Sequence, residues 1–390
     1  MRPLLSFCMI VKNEAENLPR CLRSVRNHVD ELVVVDTGSE DETVTIAQSF
    51  GAKIAHFTWC DDFAAARNFA ASQVTGTWIL TLDADEELIV ESPNWREALQ
   101  ASDDILAYEI DRLDVGQPIT ALHLPRIQRN LSDLQYVGRY HEQLTYQQHS
   151  LKTTQLQPLS SLKILHYGYE AASLAAKNLH RDIPLLERIR EQEPLSLLLL
   201  LTLANNYLRT DQLEKAQVLW AEALERLSPH LLSGELPSET VRLPALLFTL
   251  GLDLLSSQED YESAMLICRQ GLAWFPTYPP LHHLTGMVLR EVGLPLGATA
   301  YFKQCLQMGE TGHYWRQESF DRAFLDVFPA YELGLTYLNL ARLPEATEAF
   351  ELALRFDPSY EPAQEGLEQV NQRGGAGKRS STDRSNDVPN

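Results

Sequence analysis

Four apolar runs in the first part of the chain each end in polar or acidic residues, and together they predict an alternation of strands and helices. Leu4 to Val11 closes on Lys12-Asn13-Glu14, after which Leu18, Cys21, Leu22 and Val25 recur at helical spacing. Leu32-Val33-Val34-Val35 ends at Asp36; Thr37-Gly38-Ser39 then leads into a second helix, with Ser39 and Glu42 at capping-box spacing. A weaker strand covers Ala52 to Phe57, and a third helix starting at Asp61 or Asp62 carries Arg67-Asn68. The fourth run, Trp78 to Leu82, delivers Asp83-Ala84-Asp85. Continuous apolar runs of this kind suit strands buried on both faces of a parallel sheet with right-handed crossovers. Their polar ends then fall at the carboxyl edge of that sheet, where open α/β sheets bind ligands.

The second part of the chain has another grammar. Leu203-Ala204, Tyr207, Ala216, Trp220 and Ala223 align with Gly334, Tyr337, Ala346, Phe350, Ala353 and Pro358 in the small, aromatic, Ala, aromatic, Ala pattern of a helical repeat. Gly286, Ala298, Phe302 and Cys305 give a further copy, as do Gly251, Ala264, Cys268 and Gly271 with one extra loop residue. The early aromatic of the pattern is replaced by Leu200, Leu247, His282 and Ala330. Small residues let paired helices approach, and stacked pairs bury a continuous core. Residues 310–330 interrupt the pattern, and their Trp315, Phe320, Phe324 and Phe328 are expected to fill a core.

Composition supports two folded parts: 390 residues exceed one typical core, and 44% are hydrophobic. A formal charge of -20 and a pI near 5.0 oppose nonspecific binding to nucleic acid or anionic lipid. Cys8, Cys21, Cys60, Cys268 and Cys305 have neither pairing nor metal spacing, which suits a reducing, cytoplasmic compartment. The Leu197 to Leu203 run is too short for a membrane span, and Met1 to Val11 lacks the features of a signal peptide. The last residues, from Gly374-Gly375 on, have a disordered composition.

Two carboxylates separated by one residue beyond a strand end can converge on a hard divalent cation that bridges substrate phosphates. Taken alone, Asp83 and Asp85 could equally be surface-loop acids. Four ordered stretches decide between these: residues 9–14, 33–43, 59–68 and 82–86 resemble the successive motifs of a family-2 glycosyltransferase of the GT-A fold. The likeness spans roughly residues 1 to 170, and with the repeats it is similar to sublancin-type peptide S-glycosyltransferases. The resemblance implies an α/β GT-A domain over 1–175, an all-α tetratricopeptide array over 176–370 and a disordered tail over 371–390.

It also implies roles. The loop holding Val11, Asn13 and Glu14 lines the nucleotide pocket, Asp36 accepts the uracil imide hydrogen, and Arg67 of the Arg67-Asn68 pair reaches base or diphosphate. Asp83 contacts ribose or metal, and Asp85 binds the Mg or Mn that bridges the diphosphate. The alternatives are an N-cap for Asp36, a surface ion pair for Arg67 and ordinary first-turn positions for Asn13 and Glu14. Leu124 to Arg129 and Val137 to Glu142 resemble the acceptor-side half, with Tyr140 in place of an aliphatic residue. Inverting displacement needs a base, for which Glu142 is the first candidate and His141 the second. A structural acid beside a buried histidine is the alternative for that pair. His166 is placed as a late metal or diphosphate ligand, and Lys177 and Arg181, one helical turn apart, are candidates to meet the leaving diphosphate or else form a solvated basic edge.

The expectation is therefore an inverting, metal-dependent enzyme that moves a sugar from a UDP-sugar to a peptide or protein acceptor held by the repeats, with no nucleic-acid partner and no membrane span. A lipopolysaccharide-core transferase and a non-catalytic nucleotide-binding scaffold stay open beside it.

Overall fold

The computed structural model describes residues 2–100, 103–168 and 178–382. The chain forms two compact units, 1–217 and 218–390.

The first unit begins with β1 (Leu5–Val11), α1 (Leu18–Val25), β2 (Glu31–Asp36), α2 (Thr43–Ser49), β3 (Lys53–His56), α3 (Phe63–Ser72) and β4 (Trp78–Thr81). Strands β5 (Glu86–Val90), β6 (Ala107–Asp114), β7 (Leu122–Arg129), β8 (Leu134–Val137), β9 (Gln143–Tyr146), β10 (His149–Ser150) and β11 (Leu156–His166) follow. Two helices, α4 (Ile183–Gln192) and α5 (Leu197–Leu208), complete it. Among the described residues the main sheet runs β3-β2-β1-β4-β7-β6-β11-β5, and β10-β9-β8 form a small second sheet. The expected parallel arrangement holds for β3-β2-β1-β4. Beyond β4 the sheet is mixed, because β7 runs antiparallel to both β4 and β6, and β5 antiparallel to β11.

Alternation along the strands feeds two cores. Leu5, Phe7, Met9 and Val11 pack with Leu18, Cys21, Leu22 and Val25 of α1. Cys8, Val33, Val35 and Ile79 pack with Ala70 of α3 on the other face. The predicted strands and helices fall in place to within a few residues, and α3 starts as expected, with Asp62 accepting from the Ala65 amide at 2.9 Å. The capping box at Ser39 and Glu42 does not form. Helix α2 opens at Thr43, whose amide donates to Asp41 Oδ1 at 3.0 Å, while Ser39 Oγ accepts from the Asn13 amide at 2.9 Å. Ser39 ties two loops together instead of capping a helix.

Helix α6 (Leu213–Ser233) carries the chain across the division between the units. The second unit continues with α7 (Leu243–Ser256), α8 (Tyr261–Trp274), α9 (Pro279–Glu291), α10 (Pro295–Thr311), α11 (Val327–Asn339), α12 (Leu343–Phe356) and α13 (Glu361–Thr382). All four sequence copies therefore fall on successive helix pairs. The small positions are required by contact: a Cβ on Gly286 would stand 2.5 Å from the Phe302 ring, and one on Gly334 2.4 Å from the Phe350 ring. Leu247, His282 and Ala330, which replace the early aromatic, are buried. The aromatic residues of the interrupting segment pack edge to face, Phe320 on Tyr278, Phe324 on Phe248 and Phe328, and Trp315 on Phe275. Helix α13 continues into the stretch from 371 that composition marks as a tail; residues 383–390 lie outside the described residues.

Candidate active site

Parallel pairing of β1 with β2 in the register Val11↔Asp36 brings the loops after these strands together. The Thr37 amide and hydroxyl both donate to the Val11 carbonyl, at 2.9 and 3.0 Å. Asn13 adopts φ 56° and its Oδ1 accepts from the Glu40 amide at 2.8 Å, while the Glu14 amide donates to Thr43 Oγ1 at 2.8 Å. Val11, Asn13 and Glu14 are thus stitched to the loop following Asp36. The Asp36 carboxylate accepts from the amides of Gly38 at 3.2 Å and Ser39 at 3.0 Å. Burial disfavours its charge, yet the bonds from Ser39 and Gly38 outweigh burial and hold its pKa below the usual carboxylate value.

The acids after β4 have different partners. Asp83 turns to two arginines: Arg67 Nη2 donates to Oδ1 at 2.7 Å, and Arg126 Nη2 to Oδ2 at 3.1 Å. Burial opposes its ionisation, but Arg67 and Arg126 hold its pKa well down. Arg67 also donates from Nε to Glu142 Oε1, so it lies between two carboxylates with 12% of its side chain exposed. Burial works against its charge and Asp83 and Glu142 restore it. Arg126 in turn donates to fully buried Glu86 Oε1 at 2.5 Å, and Glu86 Oε2 accepts from the Asp83 amide at 2.9 Å.

Asp85 takes a separate path, its Oδ2 lying 3.6 Å from His166 Nε2. His166 Nδ1 donates to Asp114 Oδ1 at 2.7 Å, and Asp114 is nearly fully buried. Burial would lower the His166 pKa, but the hydrogen bonds to Asp114 and Asp85 raise it to about 9. Among the described residues no three of His, Cys, Asp and Glu stand in metal-binding geometry. Of the three expected ligands, Asp85 and His166 face each other, while both Asp83 oxygens accept from arginines.

Other expectations fare unequally. Asn68, read as a nucleotide contact, is bonded to β8: its Nδ2 donates to the Tyr136 carbonyl and its Oδ1 accepts from the Tyr136 amide, each at 2.8 Å. Arg67 and Asn68 are consecutive in a helix, so they point about 100° apart, one to the acids and one to β8. Glu142 sits in the charged cluster with 13% of its side chain exposed. His141 is exposed, with φ 55° and its ring edge-on to Tyr140 at 4.9 Å. Tyr140 itself packs on Phe63. Arg181 is half exposed and donates to Asp182 at 2.7 Å. Lys177 lies outside the described residues.

Sequence reading missed Glu86, Arg126 and Asp114. Glu86 was visible as the third acid after the apolar run, and Arg126 as a charge inside Leu124-Pro125-Arg126-Ile127. Asp114 carried no local signal, because only the strand pairing His166↔Asp114 brings it to the site.

Residues 6–108 match the family described as "Glycosyl transferase family 2", and residues 330–360 match a tetratricopeptide repeat. A TPR repeat-containing protein of Synechococcus elongatus is 44% identical over 173 residues, covering 42% of each chain. An uncharacterized glycosyltransferase of Rickettsia felis is 43% identical over 112 residues, covering 28% of this chain and 39% of its own. The SPbeta prophage-derived glycosyltransferase SunS of Bacillus subtilis is 28% identical over 201 residues, covering 49% of this chain and 46% of its own. The matches thus span less than half the length of each of these relatives.

Proposed function

We propose that this chain, whose residues 6–108 match the family-2 glycosyltransferase model and residues 330–360 a tetratricopeptide repeat, is a GT-A-type enzyme that transfers a sugar from a UDP-sugar, with inversion, to a peptide or protein. The observation that carries this reading is the paired arrangement at the sheet's edge: Asp85 facing His166 on one side and Glu142 facing Arg67 on the other. The first pair suits a donor diphosphate with its cation, the second an acceptor that must lose a proton.

On the donor side, Asp36 offers acceptor lone pairs beside the Val11 to Glu14 loop, as a uracil imide requires. The residues present fit a divalent cation. His166 is oriented by Asp114 through Nδ1, which leaves Nε2 turned to Asp85, the carboxylate–histidine arrangement that supports metal ligands. A Cβ on Gly168 would stand 2.5 Å from Asp85 Oδ2 and 2.6 Å from His166 Nε2, so the bare glycine keeps that space open. Asp85 and His166 would hold the ion, and an imidazole in the set favours Mn over Mg, which takes oxygen ligands. A bound ion would neutralise charge on the departing diphosphate.

On the acceptor side, Glu142 takes the proton from the acceptor hydroxyl or thiol as that atom bonds to the sugar's anomeric carbon. The bond from that carbon to the diphosphate breaks, and its electron pair leaves with the nucleotide. Arg67 fixes the Glu142 carboxylate for this step. The repeats supply an extended surface for a polypeptide, which is why a peptide is preferred to a lipopolysaccharide-core acceptor. No described helix is long and apolar enough to cross a membrane.

The test is incubation with a panel of nucleotide sugars and Mn, reading nucleotide released by slow hydrolysis. Release from one UDP-sugar is expected; UDP binding with no release from any donor would favour the scaffold reading.

A further inference from the structure

Five side chains of alternating charge run unbroken through the site: Glu86, Arg126, Asp83, Arg67 and Glu142. They come from β5, β7, the turn after β4, α3 and the segment before β9, so the run of charges starts at buried Glu86 and ends at the acceptor-side carboxylate. Arg126 is its least replaceable member. Its Nη2 bonds Asp83 and Glu86 together, and Glu86 also accepts from the Asp83 backbone, which closes a small ring around Asp83. Arg126 is 9% exposed and Glu86 0%, so neither can exchange its partner for water cheaply.

We infer that Arg126 is a positioning residue for proton removal: by clamping Asp83 it fixes Arg67, and through Arg67 it sets the direction in which Glu142 presents its carboxylate. The inference rests on the proposed transferase reading. Asp83 has two oxygens and two guanidinium partners, one on each. Releasing Arg126 frees Asp83 to rotate, and Arg67, which donates to both Asp83 and Glu142, loses its fixed reference. The ring's bonds join Arg126, Asp83 and Glu86, whereas the proposed metal site is built on Asp85 and His166, so donor and metal binding should suffer less than proton removal.

Arg126→Met alone strands buried Glu86 without its cation and invites misfolding. The informative variant is therefore Arg126→Met with Glu86→Gln, which removes both charges together and keeps an amide oxygen for the Asp83 N–H. Two readouts are taken on the full chain. The first is kinetic: turnover should fall about 10- to 100-fold while the Kd for UDP with Mn changes less than about 3-fold. The second is the NMR signal of the Arg67 Nε–H, which should be sharp and downfield in the parent and broaden or move in the variant. Unchanged turnover in the folded variant, an equal loss of UDP binding, or an unchanged Arg67 signal each overturns the inference. A parent that releases no nucleotide from any donor fails the transferase reading alone, because the Arg67 signal still reports whether Arg126 orders it.

Discussion

Asp85 and His166 face each other because β5 and β11 run antiparallel in the register His166↔Glu86, which sets His166 beside the residue preceding the strand. The Tyr167 amide donates to the Asp85 carbonyl at 2.9 Å and locks that register at its end. Asp83, two residues earlier, is bound by Arg67 and Arg126. The two acids after β4 therefore have different partners, and substitution should separate their effects.

Asp85→Asn removes a charged oxygen ligand while keeping shape. UDP affinity should lose most of its Mn dependence, and turnover should collapse. Asp83→Asn should instead retain Mn dependence while lowering thermal stability, since each buried guanidinium loses one of its two carboxylate partners. Calorimetric titration of UDP with and without Mn checks both, and parental Mn dependence in Asp85→Asn would remove the metal from this site.

Gly168→Ala puts a methyl group against both Asp85 Oδ2 and His166 Nε2. Contacts of 2.5 and 2.6 Å require one of these side chains to move. Mn-dependent UDP binding should weaken by about 10-fold or more, with Mn-independent binding retained. An unaffected Mn titration would show that the space beside Gly168 is not used.

Much of this was legible in the sequence, and the exceptions have identifiable causes. Val33, Val34 and Val35 read as a central strand because burial on both faces leaves no polar alternation to disguise it. Asp83 and Asp85 were read from their spacing alone, whereas their partners follow from the turn after β4, which ends at Thr81, with the Glu86 amide donating to the Asp83 carbonyl at 3.0 Å. Strand periodicity no longer governs where those side chains point. Arg126 lay in a quoted stretch without a role of its own since its partners lie on other elements, and the mixed half of the sheet depends on pairings that no local pattern encodes.

The repeat glycines are testable independently of activity. Phe350 is fully buried between Gly334 and Gly366, and a Cβ on either would approach its ring to 2.4 or 2.6 Å. Gly334→Ala should cost about 1–3 kcal/mol. Gly297→Ala in α10 meets Leu289 at an ordinary 3.4 Å and should be neutral or slightly stabilising. Thermal unfolding of the two variants should give shifts of unequal size, and equal shifts would deny the close packing at Phe350.

Glu142→Gln keeps an oxygen for the Arg67 Nε–H and so preserves the shape of the arginine–carboxylate cluster, but an amide does not accept the acceptor's proton. UDP binding should survive while transfer falls by about 10²-fold or more. His141→Ala, at an exposed ring edge-on to Tyr140, should reduce transfer far less. Should the two effects be reversed, His141 is the base and Glu142 only orders Arg67.

The last prediction concerns the division of labour between the halves. Every candidate for nucleotide, metal and proton transfer falls before residue 182, and α4 is tied to the first domain by Arg188, whose Nε and Nη2 both donate to Asp61 at 2.9 Å. Arg139 adds a bond to Gln192 at 2.6 Å. A cut inside α4 would break these contacts, so the fragment to test is 1–210, ending in the turn after α5. It should bind UDP with Mn and hydrolyse the donor slowly, yet lose transfer to the natural acceptor, because the repeats that would hold a polypeptide are gone. Circular dichroism and a cooperative melt must first establish that the fragment is folded, since truncation can expose apolar surface. A folded fragment that glycosylates the acceptor as fast as the full chain would place acceptor recognition wholly in the first domain and leave the helical array to dock other proteins.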